Sequence, residues 1–159
     1  MVAILSNIRS MHNVGSIFRT SDAAGVEKIF LTGYTPTPLD KFKNPRPEIT
    51  KVALGAEKQI PWQYFSSAPA LIDRLKKDGF QILAVEQSNT SIPYNKVKLT
   101  KKDLEKTALI MGNEVRGLSP GILKRADRIL EIPMNGKKES LNVSVAFGIV
   151  VYEILNHQR

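Results

Sequence analysis

The chain has 159 residues, 42% of them hydrophobic and none of them cysteine, and its 23 Lys and Arg against 15 Asp and Glu leave a formal net charge of +8. That length and apolar content suit one domain with a single packed core, and the lack of cysteine excludes disulfides, thiolate metal sites and a cysteine nucleophile. A basic balance of this size favours a polyanionic partner, nucleic acid or an anionic membrane surface, over neutral or acidic ones.

Short apolar strands alternate with amphipathic helices along the chain, which is the pattern of an α/β fold with a mainly parallel sheet flanked by helices. "VAILSN" opens as a strand, and "NVGSIFRTSDAAG" follows as a helix with Asn13 as N-cap and Gly25 as stop. "EKIFLTG" reads as a second strand, "SAPALIDRLKKDG" as a helix capped by Ser67 and stopped at Gly79, and "FQILAVE" as a third strand. "TALIMG" is a fourth strand, "SPGILKRA" a short helix with Ser119 at the cap and Pro120 in the first turn, and "RILEIPM" a fifth strand. The last helix is expected from about Leu141 to the C-terminus. Two stretches break this rhythm and read as exposed loops: "YTPTPLDKFKNPRPEITK" and "SNTSIPYNKVKLTKKDLEK". Both are basic, and basic loops can supply phosphate contacts.

His12 and His157 lie far apart in sequence, so a histidine-based metal site is not expected. No apolar run approaches the roughly 20 residues of a membrane span. The opening "MVAILSNIRS" turns polar too soon for a secretory signal, so a cytoplasmic location is expected.

Chemistry can gather at three places. In "NIRSMHNVGSIFRTSDAAGV", Val14, Ile17, Phe18 and Ser21 share one helical face, and Arg19 points about 140° away from Val14. Arg9 and Arg19 flank a helix start, where free N–H groups attract anions and Arg can grip phosphate in bidentate fashion. Taken alone, Arg19 reads as a solvated surface group rather than an anion ligand, and His12 as a surface or capping residue rather than a base. "LIMGNEVRGLSPG" follows a strand directly, and ligands in parallel α/β sheets bind beyond strand C-termini. Gly112 allows close backbone approach there, and Asn113 and Glu114 bring hydrogen-bonding groups; a tight strand-to-helix connection would use the same residues. Neither a dinucleotide fingerprint nor a P-loop is present. In "PMNGKKESLNVSVAFGIVVYEIL", Val143, Ala146, Phe147, Val150, Val151 and Ile154 form a wide apolar face, and Ser140 and Asn142 stand at the helix start. Capping and ligand binding are compatible for such groups.

In this order the three stretches closely resemble the three motifs of the SpoU (TrmH) family, within the SPOUT superfamily of RNA methyltransferases. "NIRSMHNVGSIFRTSDAAGV" is similar to motif 1, "LIMGNEVRGLSP" to motif 2 and "EIPMNGKKESLNVSVAFGIVVYE" to motif 3, while "ALGAEKQIPW" resembles the segment between motifs 1 and 2. The resemblance runs from Val2 to Tyr152. It implies a SPOUT fold whose C-terminal part is tied into a deep trefoil knot, a topology that general chain-connection rules would argue against. It implies S-adenosyl-L-methionine as cofactor, leaving S-adenosyl-L-homocysteine, with no metal. The implied cofactor-binding residues are Val85, Glu86, Gly112, Asn113, Glu114, Ile132, Pro133, Met134, Ser140, Leu141 and Asn142.

The implied activity is methylation of a ribose 2′-hydroxyl in tRNA or rRNA, by a homodimer. The residues carrying it would be Arg19, Asn13, Glu114, Ser140 and Asn142, with Arg19 reaching the cofactor site of the partner subunit. A guanidinium is a poor general base, its pKa being above about 12. Positioning a phosphate and stabilising developing alkoxide charge suit it better. Near-linear alignment of hydroxyl oxygen, methyl and sulfonium would supply much of the rate. Contacts to RNA are assigned to Arg9, Arg19, Lys41, Lys43, Arg46 and Arg116. With its first strand at Val2, the chain is expected to lack the N-terminal RNA-binding extension of many relatives, so tRNA is the favoured substrate, met by basic loops and the dimer surface. Two other readings fit the same resemblance: a catalytically silent RNA-binding protein of this fold, and a methyltransferase that modifies bases.

Overall fold

The computed structural model describes residues 1–156, so His157 lies outside the described residues. Seven strands form one sheet in the order β3-β2-β1-β6-β4-β7-β5, every neighbouring pair parallel. They are β1 (Val2–Ser6), β2 (Lys28–Thr32), β3 (Trp62–Phe65), β4 (Gln81–Val85), β5 (Ile92–Pro93), β6 (Thr107–Met111) and β7 (Arg128–Glu131). The helices are α1 (Met11–Ala24), α2 (Pro47–Ala53), α3 (Ala56–Gln59), α4 (Ala68–Lys77), α5 (Lys101–Glu105), α6 (Pro120–Leu123) and α7 (Val143–Asn156).

β1 and β6 are central and buried along their whole length, which is why they read as unbroken apolar runs rather than alternating ones. Successive side chains still point to opposite faces. Ala3, Leu5, Leu109 and Met111 join α1 and α7 in one core layer, while Val2, Ile4, Ala108 and Ile110 join α4 and α6 in the other. No helix among the described residues is long and apolar enough to cross a membrane.

The five strands expected from sequence are all present, and two more flank them at or near the sheet edges. β3 presents polar Gln63 and exposed Tyr64 and packs on one neighbour only, so it carries no hydrophobic run. β5 is two residues long and contains a proline, which an edge tolerates. The two stretches expected as loops also hold helices. α2 begins inside the first, at Pro47 where the missing N–H costs nothing, and α3 follows it. α5 sits in the second and is closed by a capping box between Thr100 and Asp103.

The N-cap of α1 is Ser10, not Asn13: the Ser10 backbone is extended and its Oγ accepts a hydrogen bond from the Asn13 N–H at 3.2 Å. Asn13 therefore lies inside the first turn, and its amide is free for longer-range bonds. Gly25 ends the helix in the left-handed conformation, as expected. α7 begins at Val143, two residues after the expected start.

The strand order decides where a site can form. The chain lays β1, β2 and β3 outward in one direction, then places β6, β4 and β7 on the other side of β1. Order reverses between β1 and β6, and in open parallel sheets the crevice beyond the strand C-termini at that reversal is where ligands bind.

Candidate active site

Four loops leave the C-terminal edge of the sheet around this crevice: 7–10 after β1, 86–91 after β4, 112–119 after β6 and 132–142 after β7. The last three enclose a cleft of about 200 Å³. Its walls include Val85, Glu86 and Gln87 from β4, Met111 to Val115 and Gly117 from β6, and Leu130 to Ile132, Met134, Ser140 and Leu141 from β7 onward, closed by Val143 and Ala146 of α7. Of the residues assigned to the cofactor from sequence, Pro133 and Asn142 do not line this cleft, and the other nine do. Gln87, Met111, Val115, Gly117, Leu130, Glu131, Val143 and Ala146 are cleft residues the sequence did not single out. Their signal is position, since Met111, Leu130 and Glu131 end strands pointing at the crevice.

The loop after β6 is folded tightly. Asn113 and Gly117 exchange backbone hydrogen bonds of 3.2 and 2.9 Å, and Gly117 has φ +63°. A Cβ added at Gly112 would lie 2.6 Å from the Gly117 carbonyl carbon. One added at Gly117 would overlap the Glu86 carboxylate, which accepts from the Leu118 N–H at 2.8 Å and the Gln87 N–H at 2.9 Å. Two glycines and one carboxylate thus bring the β4 and β6 loops together with no room for larger residues. Across the opening, Gln87 donates to the Glu139 carbonyl at 2.6 Å, tying the β4 loop to the segment before α7.

Glu114 joins this edge to α1. Its carboxylate accepts from the Arg9 N–H at 2.9 Å, the Ser10 N–H at 2.9 Å and Asn13 Nδ2 at 3.1 Å. Burial acts to raise its pKa, but the Arg9 and Ser10 N–H groups and the Asn13 amide outweigh that and hold it below the ordinary 4.5. The group is therefore a fixed anion with its lone pairs occupied, suited to positioning rather than to proton transfer. Asn13 passes the connection on: its Oδ1 accepts from Asn142 Nδ2 at 3.1 Å. The Asn142 Oδ1 in turn accepts from the Ser144 N–H at 2.9 Å and the Ser144 hydroxyl at 2.7 Å, capping α7. One hydrogen-bonded chain thus runs through Glu114, Asn13 and Asn142, one residue from each of the three sequence stretches.

The remaining assigned residues are not all gathered here. Ser140 is exposed on the cleft rim. Arg19 is exposed on α1, outside the cleft of its own chain. Arg9 and Arg116 line a second, adjoining cleft. Lys41 and Lys43 project from the 33–46 loop, which is ordered around Asp40. Its carboxylate accepts from the Phe42 N–H at 2.8 Å and the Asn44 N–H at 2.9 Å. Arg46 differs from these two lysines: it is half-buried at the start of α2, and its Nε has no hydrogen-bond partner. Among the described residues no group of three or more His, Asp or Glu could hold a metal ion.

Comparison with known proteins fits this geometry. The model of the "SpoU rRNA Methylase family" matches residues 1–152. The chain is 34% identical to the tRNA (guanosine(18)-2'-O)-methyltransferase of Aquifex aeolicus, over 96% of this chain and 67% of that protein. It is 32% identical to the 23S rRNA (guanosine-2'-O-)-methyltransferase RlmB of Coxiella burnetii, over 97% of this chain and 57% of that one. Among solved structures, the A. aeolicus TrmH/SpoU tRNA modifying enzyme superposes with a TM-score of 0.80 at 34% identity, covering 96% of this chain and 72% of the other. The AdoMet-bound rRNA methyltransferase of Sinorhizobium meliloti superposes with a TM-score of 0.84 at 30% identity, covering 98% and 56%. The chain thus spans two thirds of the length of the Aquifex relative and little more than half of the Coxiella one. With one family model spanning the sheet, the cleft and all three polar stretches, the chain belongs to the SpoU rRNA Methylase family.

Proposed function

We propose that this protein is an S-adenosylmethionine-dependent RNA methyltransferase that modifies a ribose 2′-hydroxyl, with tRNA as the favoured substrate. The observation that carries this reading is the cleft at the β1–β6 reversal, walled by nine of the residues that the family resemblance assigns to the cofactor, with the Glu114–Asn13–Asn142 chain tying its loops to both helices.

The cleft's chemistry suits the cofactor. Val85, Ile132, Leu141 and Ala146 offer apolar walls for an adenine ring, and the carboxylates of Glu86, Glu114 and Glu131 favour a cationic ligand. Bound there, S-adenosylmethionine supplies a methyl group on a sulfonium. The protein's part is to hold and orient. Asn142 fixes the start of α7, Glu114 fixes the loop before α1, and Gly112 and Gly117 let backbone line the cleft closely.

Arg19 would act from a partner subunit, positioning the phosphate next to the target and stabilising the developing alkoxide. What supports a homodimer is an exposed apolar stripe on α7: Val145 and Tyr152, seven residues apart, are 50% and 41% exposed on the same side. α1 packs beside that helix, Thr20 lying next to Gly148, so Arg19 sits close to the same surface. A C-terminal trefoil knot belongs to this reading. It is supported by the insertion of β6 between β1 and β4 and by the bond from Gln87 to the segment leading into α7.

The test is to incubate the protein with labelled S-adenosylmethionine and total RNA from cells lacking the gene, then digest and locate the methyl group by mass spectrometry. Methyl on the 2′-oxygen is the expected result. Methyl on a base would point to a base-modifying enzyme. Micromolar RNA binding with no cofactor binding by calorimetry would point to a silent RNA-binding protein.

A further inference from the structure

A second cleft of about 520 Å³ adjoins the first. It is lined by Arg9, Tyr34, Asn113, Val115 and Arg116, and it shares Asn113 and Val115 with the cofactor cleft as a common wall. Its volume falls in the about 300–1,000 Å³ range of small-ligand sites. Two exposed arginines and a half-exposed aromatic ring are its chemical content, with no acidic side chain in the lining.

The walls are built, not incidental. Asn113 is 7% exposed, and both ends of its amide are saturated. Nδ2 donates to the Asn7 carbonyl at 2.9 Å and to the Tyr34 hydroxyl at 3.0 Å, while Oδ1 accepts from the Val115 N–H at 3.0 Å and the Arg116 N–H at 2.8 Å. Tyr34 is held a second time, its N–H donating to Asn7 Oδ1 at 3.2 Å. Asn7 itself takes a left-handed backbone, φ 57°, unusual for a residue other than glycine. One buried amide therefore sets the Tyr34 ring on one side of the cleft and the Arg116 backbone on the other. Yet 58% of Tyr34 remains uncovered by protein. A ring anchored at its hydroxyl and bare elsewhere is poorly explained as core packing and well suited to stacking.

We infer that this cleft receives the target nucleotide of the RNA, with its base stacked on Tyr34 and its flanking phosphates held by Arg9 and Arg116. The inference rests on the function proposed above. Bases splayed from single-stranded RNA stack on aromatic rings irrespective of sequence, and Arg pairs with phosphate in planar, bidentate geometry. The shared wall would bring the ribose of such a nucleotide toward the cofactor. Asn113 is then a positioning residue for both clefts, and Tyr34 is a substrate-binding residue that no motif marks.

The test uses the full chain with total RNA from cells lacking the gene. Tyr34→Ala is expected to raise KM for RNA about five- to a hundredfold, the range that loss of one base–aromatic stack gives. S-adenosylmethionine affinity by calorimetry should stay within about twofold of wild type, because Tyr34 does not line the cofactor cleft and Asn113 keeps its bonds to the Asn7 carbonyl and to the Val115 and Arg116 N–H groups. Tyr34→Phe, which keeps the ring and loses the anchor to Asn113, should fall between. Arg116→Ala should lower the slope of log RNA affinity against log salt by about one in filter binding without cofactor. Should Tyr34→Ala not fold, Tyr34→Phe and Arg116→Ala still decide the matter. Wild-type KM in the tyrosine variants together with an unchanged salt slope in Arg116→Ala would overturn the inference. Failure of the wild-type protein to methylate RNA or bind cofactor would instead strike the proposed function, so the two outcomes are distinct.

Discussion

α4 and α7 both lie on the sheet and both begin at a small polar residue, yet they serve different ends. α4 is closed locally: Ser67 Oγ accepts from the Ala70 N–H at 3.3 Å, and Ala68, Leu71, Ile72 and Leu75 form one buried stripe. Its last turn carries Arg74, Lys76 and Lys77, which favour the negative end of the helix dipole. α7 also buries one stripe, Val143, Phe147, Val150, Val151 and Ile154, but leaves Val145 and Tyr152 bare on another side. Its cap, Asn142, spends one amide end on the helix and the other on Asn13, 129 residues away. The difference lies in where the cap's bonds go: Ser67 closes within one turn, while half of the Asn142 amide is committed to a distant element beside the cleft.

The largest effect is expected where α7 and α1 present their shared surface. Arg19→Ala should cut kcat by about 10²–10³-fold, the scale of losing one group that stabilises developing oxyanion charge. Cofactor affinity by calorimetry should stay near wild type, because the groups proposed for Arg19 are the RNA phosphate and the developing alkoxide, not the cofactor. Loss of cofactor binding would remove Arg19 from that role.

Glu114→Ala should cost about 1–3 kcal/mol in denaturant unfolding, since it leaves the Arg9 and Ser10 N–H groups and the Asn13 amide without their acceptor. The same carboxylate gives a pH signature. Its folded pKa is depressed, so its stabilising contribution is full above about pH 4.5 and disappears as pH falls through the lower folded value. The melting temperature of wild type should therefore fall more steeply in acid than that of Glu114→Gln. Parallel curves would show that ionisation of Glu114 contributes nothing to folding.

Asn142→Ala and Ser67→Ala set the two helices directly against each other. Each should cost about 1 kcal/mol of stability, the usual worth of an N-cap. Only Asn142→Ala should also lower methyl transfer, because only it disturbs Asn13. Equal activity in the two variants would erase the distinction between the helices. The smallest effect belongs to the 33–46 loop, where Lys41→Ala and Lys43→Ala should each reduce the salt slope of RNA binding by about one with kcat unchanged.

The sequence by itself determined the class of fold, the central strands and most long helices, because hydrophobic period, caps and stop residues act within a few neighbours. It also marked, through the family resemblance, three polar stretches that the fold brings together, and nine residues named that way line the cleft. Only the tertiary structure decided the rest. β3 and β5 lie at the sheet edges with one neighbour each, so their pairing owes little to a local apolar pattern. Asn13 has the composition of a cap, but Ser10 takes that position and the Asn13 amide turns to Glu114 and Asn142. Tyr34 carries no motif at all, and its place beside Arg116 depends on Asn113, 79 residues further along. The Tyr34–Asn113 and Asn13–Glu114 bonds require β6 to lie beside β1, a pairing that no short-range rule encodes.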